Sequence, residues 1–197
     1  MFRFARIALA ATLPLLAISE AAVAAGPAQA ARGHALSSFK TLPVGNYALA
    51  PFAFIRFCVD NPDDCRAGQK PTRVSWTGAS RSLVAKVNSR VNRTMIPRND
   101  TVESWNADTA AGDCEDYALT KRRALIRLGV PASALRIATA RTANRVGHAV
   151  LVVNTTAGDM VLDNRTNSIR LWKNTDLDFI RIASAENPRI WKAVVKR

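Results

Sequence analysis

The order of three chemically distinct residues restricts the fold of this chain more than any bulk property. Cys114 opens a helical run that continues to Leu128, His148 stands 34 residues later near the head of the strand-like run 147–153, and Asp163 follows the short strand 160–162 after another 15 residues. A thiol needs an imidazole to take its proton, and the imidazole needs a third group to hold its other nitrogen. For these three to act together, the N-terminus of one helix must face two adjacent strands joined by the turn near Gly158.

The remaining elements are consistent with that requirement. Residues 51–57 read as a short helix with proline in its first turn, and 80–93 carry Leu83, Val84, Val87 and Val91 as one apolar helical stripe. The stretch 95–100 reads as a loop. In the cysteine helix, Cys114, Ala118, Leu125 and Leu128 share a stripe in which Lys121 is discordant, and Asp113 is the expected N-cap. From residue 135 onward the pattern changes to short strands: 135–139, 148–153, 160–162, 168–172, 179–180 and 190–195. Helices first and hairpins later predict an α+β domain, with helices packed on one face of an antiparallel sheet.

The N-terminus reads as a targeting segment. Arg3 and Arg6 precede an apolar run over 7–18, and Ala22-Val23-Ala24 offers small residues for cleavage, so residues 1–24 are expected to be a signal peptide. Ala28-Gln29-Ala30 offers a second cleavage point after residue 30. An uncleaved anchor is the competing reading, but the apolar run is short for a bilayer span. Residues 25–50, rich in Ala, Gly, Ser and Pro and including His34, are expected to form a loosely ordered extension, leaving 51–197 as the folded domain.

Export to a periplasmic or secreted location changes the meaning of the three cysteines. Cys58 and Cys65 flank a turn-rich stretch whose closure by a disulfide suits an oxidising compartment, and Cys114 is then left free. Other pairings remain open on spacing alone. Zinc binding is disfavoured, because the chain has only two histidines and no paired C-x2-C spacing. The net charge is +13, or +12 once Arg3, Arg6 and Glu20 are removed. In an exported protein such a charge points to anionic envelope polymers or an acidic protein substrate rather than nucleic acid, for which no binding fingerprint is present. A solvated basic face without a ligand is the plain alternative.

The chemistry that Cys114, His148 and Asp163 favour is attack on an amide carbonyl. His148 would accept the thiol proton and return it to the leaving amine, and Asp163 would fix the tautomer. The Cys114 backbone N–H is the first expected donor to the oxyanion. Trp105, just ahead of the cysteine, is either a loop anchor or a wall of the cleft. The alternative is a buried core thiol, a satisfied strand histidine and a turn-forming aspartate.

Taken together, Phe57-Cys58 through Pro62 and Cys65, Trp105, Gly112-Asp113-Cys114-Glu115-Asp116-Tyr117-Ala118, Gly147-His148-Ala149-Val150-Leu151 and Leu162-Asp163-Asn164 resemble the bacterial transglutaminase-like cysteine proteinases. The resemblance implies a transglutaminase-like, papain-related fold with Cys114 as nucleophile, His148 as base and Asp163 as third member. It implies an exported or surface protein substrate, a large adhesin among them, and an inhibitory membrane receptor, of which the sequence itself carries no sign. No cofactor is required for the chemistry. The resemblance implies calcium near the nucleophile, with Asp113 and Glu115 at the matching positions. Those acids, with Asp116, are hard oxygen ligands at a helix start, and equally caps and first-turn acids. Two other functions share the motifs: acyl transfer or deamidation at glutamine by the same nucleophile, and an inactive basic module that binds the envelope.

Overall fold

The computed structural model describes residues 40–195. The expected signal peptide over 1–24, the second cleavage point and His34 lie outside the described residues. In chain order the elements are β1 (Val44–Ala48), α1 (Phe52–Asp60), a 3-10 turn (Pro62–Cys65), α2 (Gly78–Thr94), β2 (Ile96–Pro97), β3 (Ala111–Gly112) and α3 (Cys114–Arg127). There follow β4 (Leu135–Arg141), β5 (Gly147–Thr155), β6 (Gly158–Leu162), β7 (Arg170–Leu171), β8 (Asp178–Ala183) and β9 (Trp191–Val194). Seven strands form one antiparallel sheet in the order β1-β9-β8-β4-β5-β6-β7, and β2 pairs with β3 in a separate parallel ribbon. This is the α+β architecture expected from the order of elements. Among the described residues no helix is long and apolar enough to cross a membrane.

Alternation along β5 explains why that strand is central. Ala149, Leu151 and Val153 join the core beneath the helices, whereas Val150 and Val152 join a second cluster with Val161, Phe179 and Ile182. Successive strand side chains point to opposite faces, so β5 is buried on both. The helical side is filled by Phe54 and Phe57 of α1, Val84, Val87 and Val91 of α2, and Tyr117, Leu119 and Leu125 of α3. Each such aliphatic side chain contributes about 2 kcal/mol by leaving water.

Local chemistry sets the helix ends. Thr77 and Ser80 cap α2 reciprocally: the Ser80 N–H donates to Thr77 Oγ1 at 3.3 Å and the Thr77 N–H to Ser80 Oγ at 2.9 Å. Pro51 stands at the N-cap position of α1, where its missing N–H has no consequence. The β5–β6 turn ends at Gly158, whose φ of 120° excludes side chains; a Cβ there would also collide with the Lys40 carbonyl.

Three expectations are corrected. The loose extension over 25–50 is not loose at its end, because Leu42 is buried and β1 adds to the sheet beside β9, pairing Tyr47 with Lys192. Its partner lies at the far end of the chain, which local composition does not report. The loop over 95–100 contains β2, held by Ala111 and Gly112. On α3, Leu128 is 55% exposed and Lys121 is fully buried, so the discordant residue occupies the core and the apolar one faces water. Leu128 is the C-cap residue, past the last residue of the helix.

Cys58 and Cys65 are joined in a disulfide, both fully buried, and Arg189 donates to the two cysteine carbonyls at 3.0 and 2.9 Å. The bond ties α1 to the turn that follows it and fits a periplasmic or secreted protein.

Candidate active site

Cys114 is the first residue of α3, and this placement sets its surroundings. The first turn of a helix leaves backbone N–H groups without intrahelical partners, an arrangement that favours negative charge. Asp113 occupies the N-cap position, but its side chain makes no capping bond. One of its oxygens, Oδ1, is buried without a hydrogen-bond partner among the described residues. The expected cap is therefore corrected: Asp113 holds the N-cap position, but its Oδ2 accepts the Asp100 N–H at 3.4 Å instead of an N–H of the helix.

Gly112 lets the chain approach α3 closely, since a Cβ at this position would overlap the Asp116 carboxylate. That carboxylate accepts the Asn106 N–H at 2.7 Å and so pins the incoming loop to the first turn. Burial pushes the Asp116 carboxyl up to about 6, although the Asn106 bond opposes this.

The Cys114 thiol donates to Glu115 Oε2 at 3.1 Å and accepts the Ala149 N–H at 3.3 Å. Burial pushes the thiol well above its ordinary value; the Glu115 charge and its hydrogen bond add to the rise, and the Ala149 N–H offsets part of it. Glu115 is raised to about 8, first by burial and then by the adjacent Asp113.

On the facing strands, His148 Nε2 lies 2.9 Å from Asp163 Oδ1. His148 is near the start of β5 and Asp163 immediately follows β6, whose register sets Leu151 opposite Leu162. Burial would raise the Asp163 carboxyl, but hydrogen bonds from His148 and Arg165 outweigh it and hold the group far below the usual carboxylate range. Arg165 contributes through its backbone N–H at 2.9 Å and its guanidinium at 2.8 Å, and it also reaches Asp176 at 2.7 Å. Asn92 of α2 donates to the Asp163 carbonyl at 3.1 Å, tying that turn to the helix.

Cys114 and His148 line two adjoining recesses of about 410 and 480 Å³. Arg98, Arg165 and Asp176 border the first, and Trp105, Glu103 and Ile180 border the second. Nε2 of His148 is taken by Asp163, which leaves Nδ1 as the ring nitrogen available to the thiol. Among the described residues the thiol itself is engaged by Glu115 and Ala149, with no hydrogen bond to the imidazole.

Trp105 is held in the aromatic core at the edge of the second recess. Its ring is almost fully buried against Phe54 and Trp191, with centroids at 5.4 and 6.5 Å, its indole N–H donates to Glu103 at 3.1 Å, and it lines the second recess. Asp113, Cys114 and Glu115 form a cluster whose ligand atoms all lie within 4.8 Å of one another. Sequence reasoning missed Arg165, an ordinary arginine in a turn, and the Ala149 N–H, a backbone group that carries no residue signature.

Comparison with known proteins accords with this geometry. The family model described as bacterial transglutaminase-like cysteine proteinase matches residues 44–197. Among solved structures, LapG of Legionella pneumophila is 28% identical, over 57% of this chain and 68% of that one, with a TM-score of 0.51. A calcium-bound form of the same protein is 27% identical, over 58% and 69%, with a TM-score of 0.49. Curated protein sequences yield no match. With the family pattern extending from β1 past β9, the chain belongs to the bacterial transglutaminase-like cysteine proteinases.

Proposed function

We propose that Cys114, His148 and Asp163 are the nucleophile, base and orienting acid of this cysteine proteinase. The observation that carries the reading is the 2.9 Å contact between His148 Nε2 and Asp163 Oδ1, made at the recesses that also hold the Cys114 thiol. Asp163, kept ionised, fixes the imidazole with Nδ1 toward the cleft. His148 takes the thiol proton, the sulfur attacks the carbonyl carbon of a peptide bond, and the imidazolium returns the proton to the leaving amine. Water, deprotonated by the same imidazole, then releases the acyl group from sulfur. The Cys114 N–H at the start of α3 faces the developing oxyanion.

The substrate belongs to the exported or cell-surface proteins, a large adhesin foremost; family membership supports this class. Trp105 serves as a wall of the second recess, beside Glu103 and Ile180. Asp113 and Glu115 fit calcium, because Asp113 Oδ1 is buried without a partner among the described residues and the two carboxyl groups converge beside the thiol. Calcium held there supplies positive charge that offsets the carboxylates and lowers the thiol pKa.

The test is intact-mass labelling of the non-reduced protein with iodoacetamide over a pH series, with calcium and with chelator, for wild type, H148A and C114A. Labelling at Cys114 near neutral pH that is lost in H148A supports the triad. Slow labelling indifferent to H148A removes the coupling and with it this reading.

A further inference from the structure

One segment of this protein carries basic charge with no acid in it to balance it. Residues 66–99 contain eight lysines and arginines and no acidic residue. Outside that segment several arginines are neutralised: Arg123 pairs with Asp64, Arg127 with Asp108, Arg145 with Asp178, and Arg165 with Asp163 and Asp176. Lys86, Arg90, Arg93 and Arg98 have no ion-pair partner among the described residues.

Helical geometry arranges three of these charges in a strip. Val84, Val87, Asn88 and Val91 form the buried face of α2. At 3.6 residues per turn, Lys86, Arg90 and Arg93 fall within about 60° of one another on the opposite, exposed side, and span about 10 Å of helix. The chain then passes through β2 to Arg98, whose N–H donates to the Gly112 carbonyl at 2.9 Å and which borders the same recess as Cys114 and His148. The unpaired strip therefore runs from the solvent face of α2 to the edge of the cleft.

We propose that this strip is an exosite for an acidic stretch of the polypeptide substrate, lying outside the segment that is cut. The proposal rests on the cysteine proteinase reading, because continuity with a peptide-cleaving cleft is what favours a polypeptide over an anionic lipid or polysaccharide. An extended chain rises about 3.3 Å per residue, so three or four residues cover the part of the strip on α2 and their carboxylates meet its cations. Such a field raises the encounter rate of an acidic partner and is screened by salt.

The experiment measures fluorescence anisotropy of a labelled 20-residue poly-glutamate peptide with wild type, K86E/R90E/R93E and R56E/K70E/K173E. The second variant removes the same charge at scattered exposed positions. At low ionic strength, about 20 mM, the helix variant is expected to bind at least about tenfold more weakly than wild type and the scattered variant within about threefold, with wild-type binding falling as salt rises. Equal losses in the two variants, no binding by wild type, or capture of phosphatidylglycerol vesicles in place of the peptide overturns the proposal. Iodoacetamide labelling of Cys114 in each variant separates this surface from the catalytic site. If labelling shows the charge-reversed helix variant to be misfolded, K86Q/R90Q/R93Q replaces it and is expected to lose at least threefold; undiminished binding by that variant is equally decisive against the exosite.

Discussion

Arg165 grips the carboxylate that orients the histidine: its Nη2 lies 2.8 Å from Asp163 Oδ2, while Oδ1 is 2.9 Å from His148 Nε2. The same guanidinium reaches Asp176, so the turn after β6 is locked to the segment before β8. R165A leaves Asp163 with the imidazole and the Arg165 backbone N–H as partners, and the carboxyl pKa rises. Because a depressed carboxyl contributes stability that is lost as pH falls through its folded value, the variant loses that contribution at a higher pH than wild type. Since Arg165 is partly exposed, the expected loss is about 1 kcal/mol, or about 2–4 °C in Tm. Thermal melts from pH 3 to 7 check this, and Cys114 labelling is expected to slow in parallel, with R165K restoring part of it.

Glu115 gives the thiol an unusual pH response. Its carboxyl is raised to about 8, so in the calcium-free protein it is largely neutral at pH 7 and becomes a charge beside Cys114 only above that. Labelling rates of wild type and E115Q are expected to agree near pH 6 and to diverge above pH 8, where E115Q reacts several-fold faster. Stability follows the same group. Between its unperturbed 4.5 and about 8 the unfolded chain has released the proton that the folded chain keeps, so wild-type stability falls as pH rises, a slope that E115Q flattens. Iodoacetamide kinetics and melts in chelator read the two effects independently.

Element order and residue type were enough to place the three proposed residues before any coordinates. Cys114 at a helix start, His148 near a strand start and Asp163 after the next strand are legible because each role needs one residue type at one kind of terminus. Arg165 was not legible, since an arginine two residues past an aspartate has no signature until the turn brings it back. The strand β1 was hidden for a different reason: its partner β9 is at the other end of the chain, and pairing of that kind is set by tertiary context rather than local propensity. Lys121 shows the limit of periodicity, which marked it as discordant but did not say that it would be the buried member.

That lysine is itself testable. Lys121 Nζ is buried without a hydrogen-bond partner among the described residues and stands 5.8 Å from the centre of the Tyr117 ring; burial lowers its pKa to about 7 against the partial support of the Asp163 charge. Between about 7 and 10.5 the unfolded chain holds a proton that the folded chain lacks, so this group makes stability rise with pH. K121M replaces a strained buried amine with an apolar side chain of similar length. The expected result is a gain of about 1–2 kcal/mol at pH 7, about 2–8 °C in Tm, together with loss of the rise above pH 7. A melt series from pH 6 to 10 decides it, and a destabilised K121M would show that the amine has a role in the fold that its lack of partners conceals.

The disulfide contributes through the unfolded chain. Cys58 and Cys65 are seven residues apart, and closing so short a loop removes little conformational freedom, about 2–3 kcal/mol in the chain-entropy account. C58S/C65S is therefore expected to melt about 5–10 °C lower while keeping its Cys114 reactivity, because the bridge lies on α1 rather than in the cleft. Melts of wild type with and without dithiothreitol provide the comparison, and an unchanged Tm on reduction would remove the contribution.

Calcium binding at Asp113 and Glu115 has a sharper test than activity. Two carboxyl groups converge beside the thiol, and Asp113 Oδ1 has no hydrogen-bond partner among the described residues. A hard divalent cation matches oxygen ligands in that position, whereas a soft metal would take the sulfur. Titration calorimetry of C114A isolates the carboxylates from thiol chemistry. Calcium is expected to release or absorb measurable heat and to raise Tm in proportion to the logarithm of its concentration above the Kd. D113N and E115Q are each expected to weaken that response at least tenfold, and magnesium, which demands a tighter octahedral shell, to produce little of it. If both variants respond to calcium as C114A alone does, the ion sits elsewhere, and the raised Glu115 carboxyl must be explained by burial without a metal to relieve it.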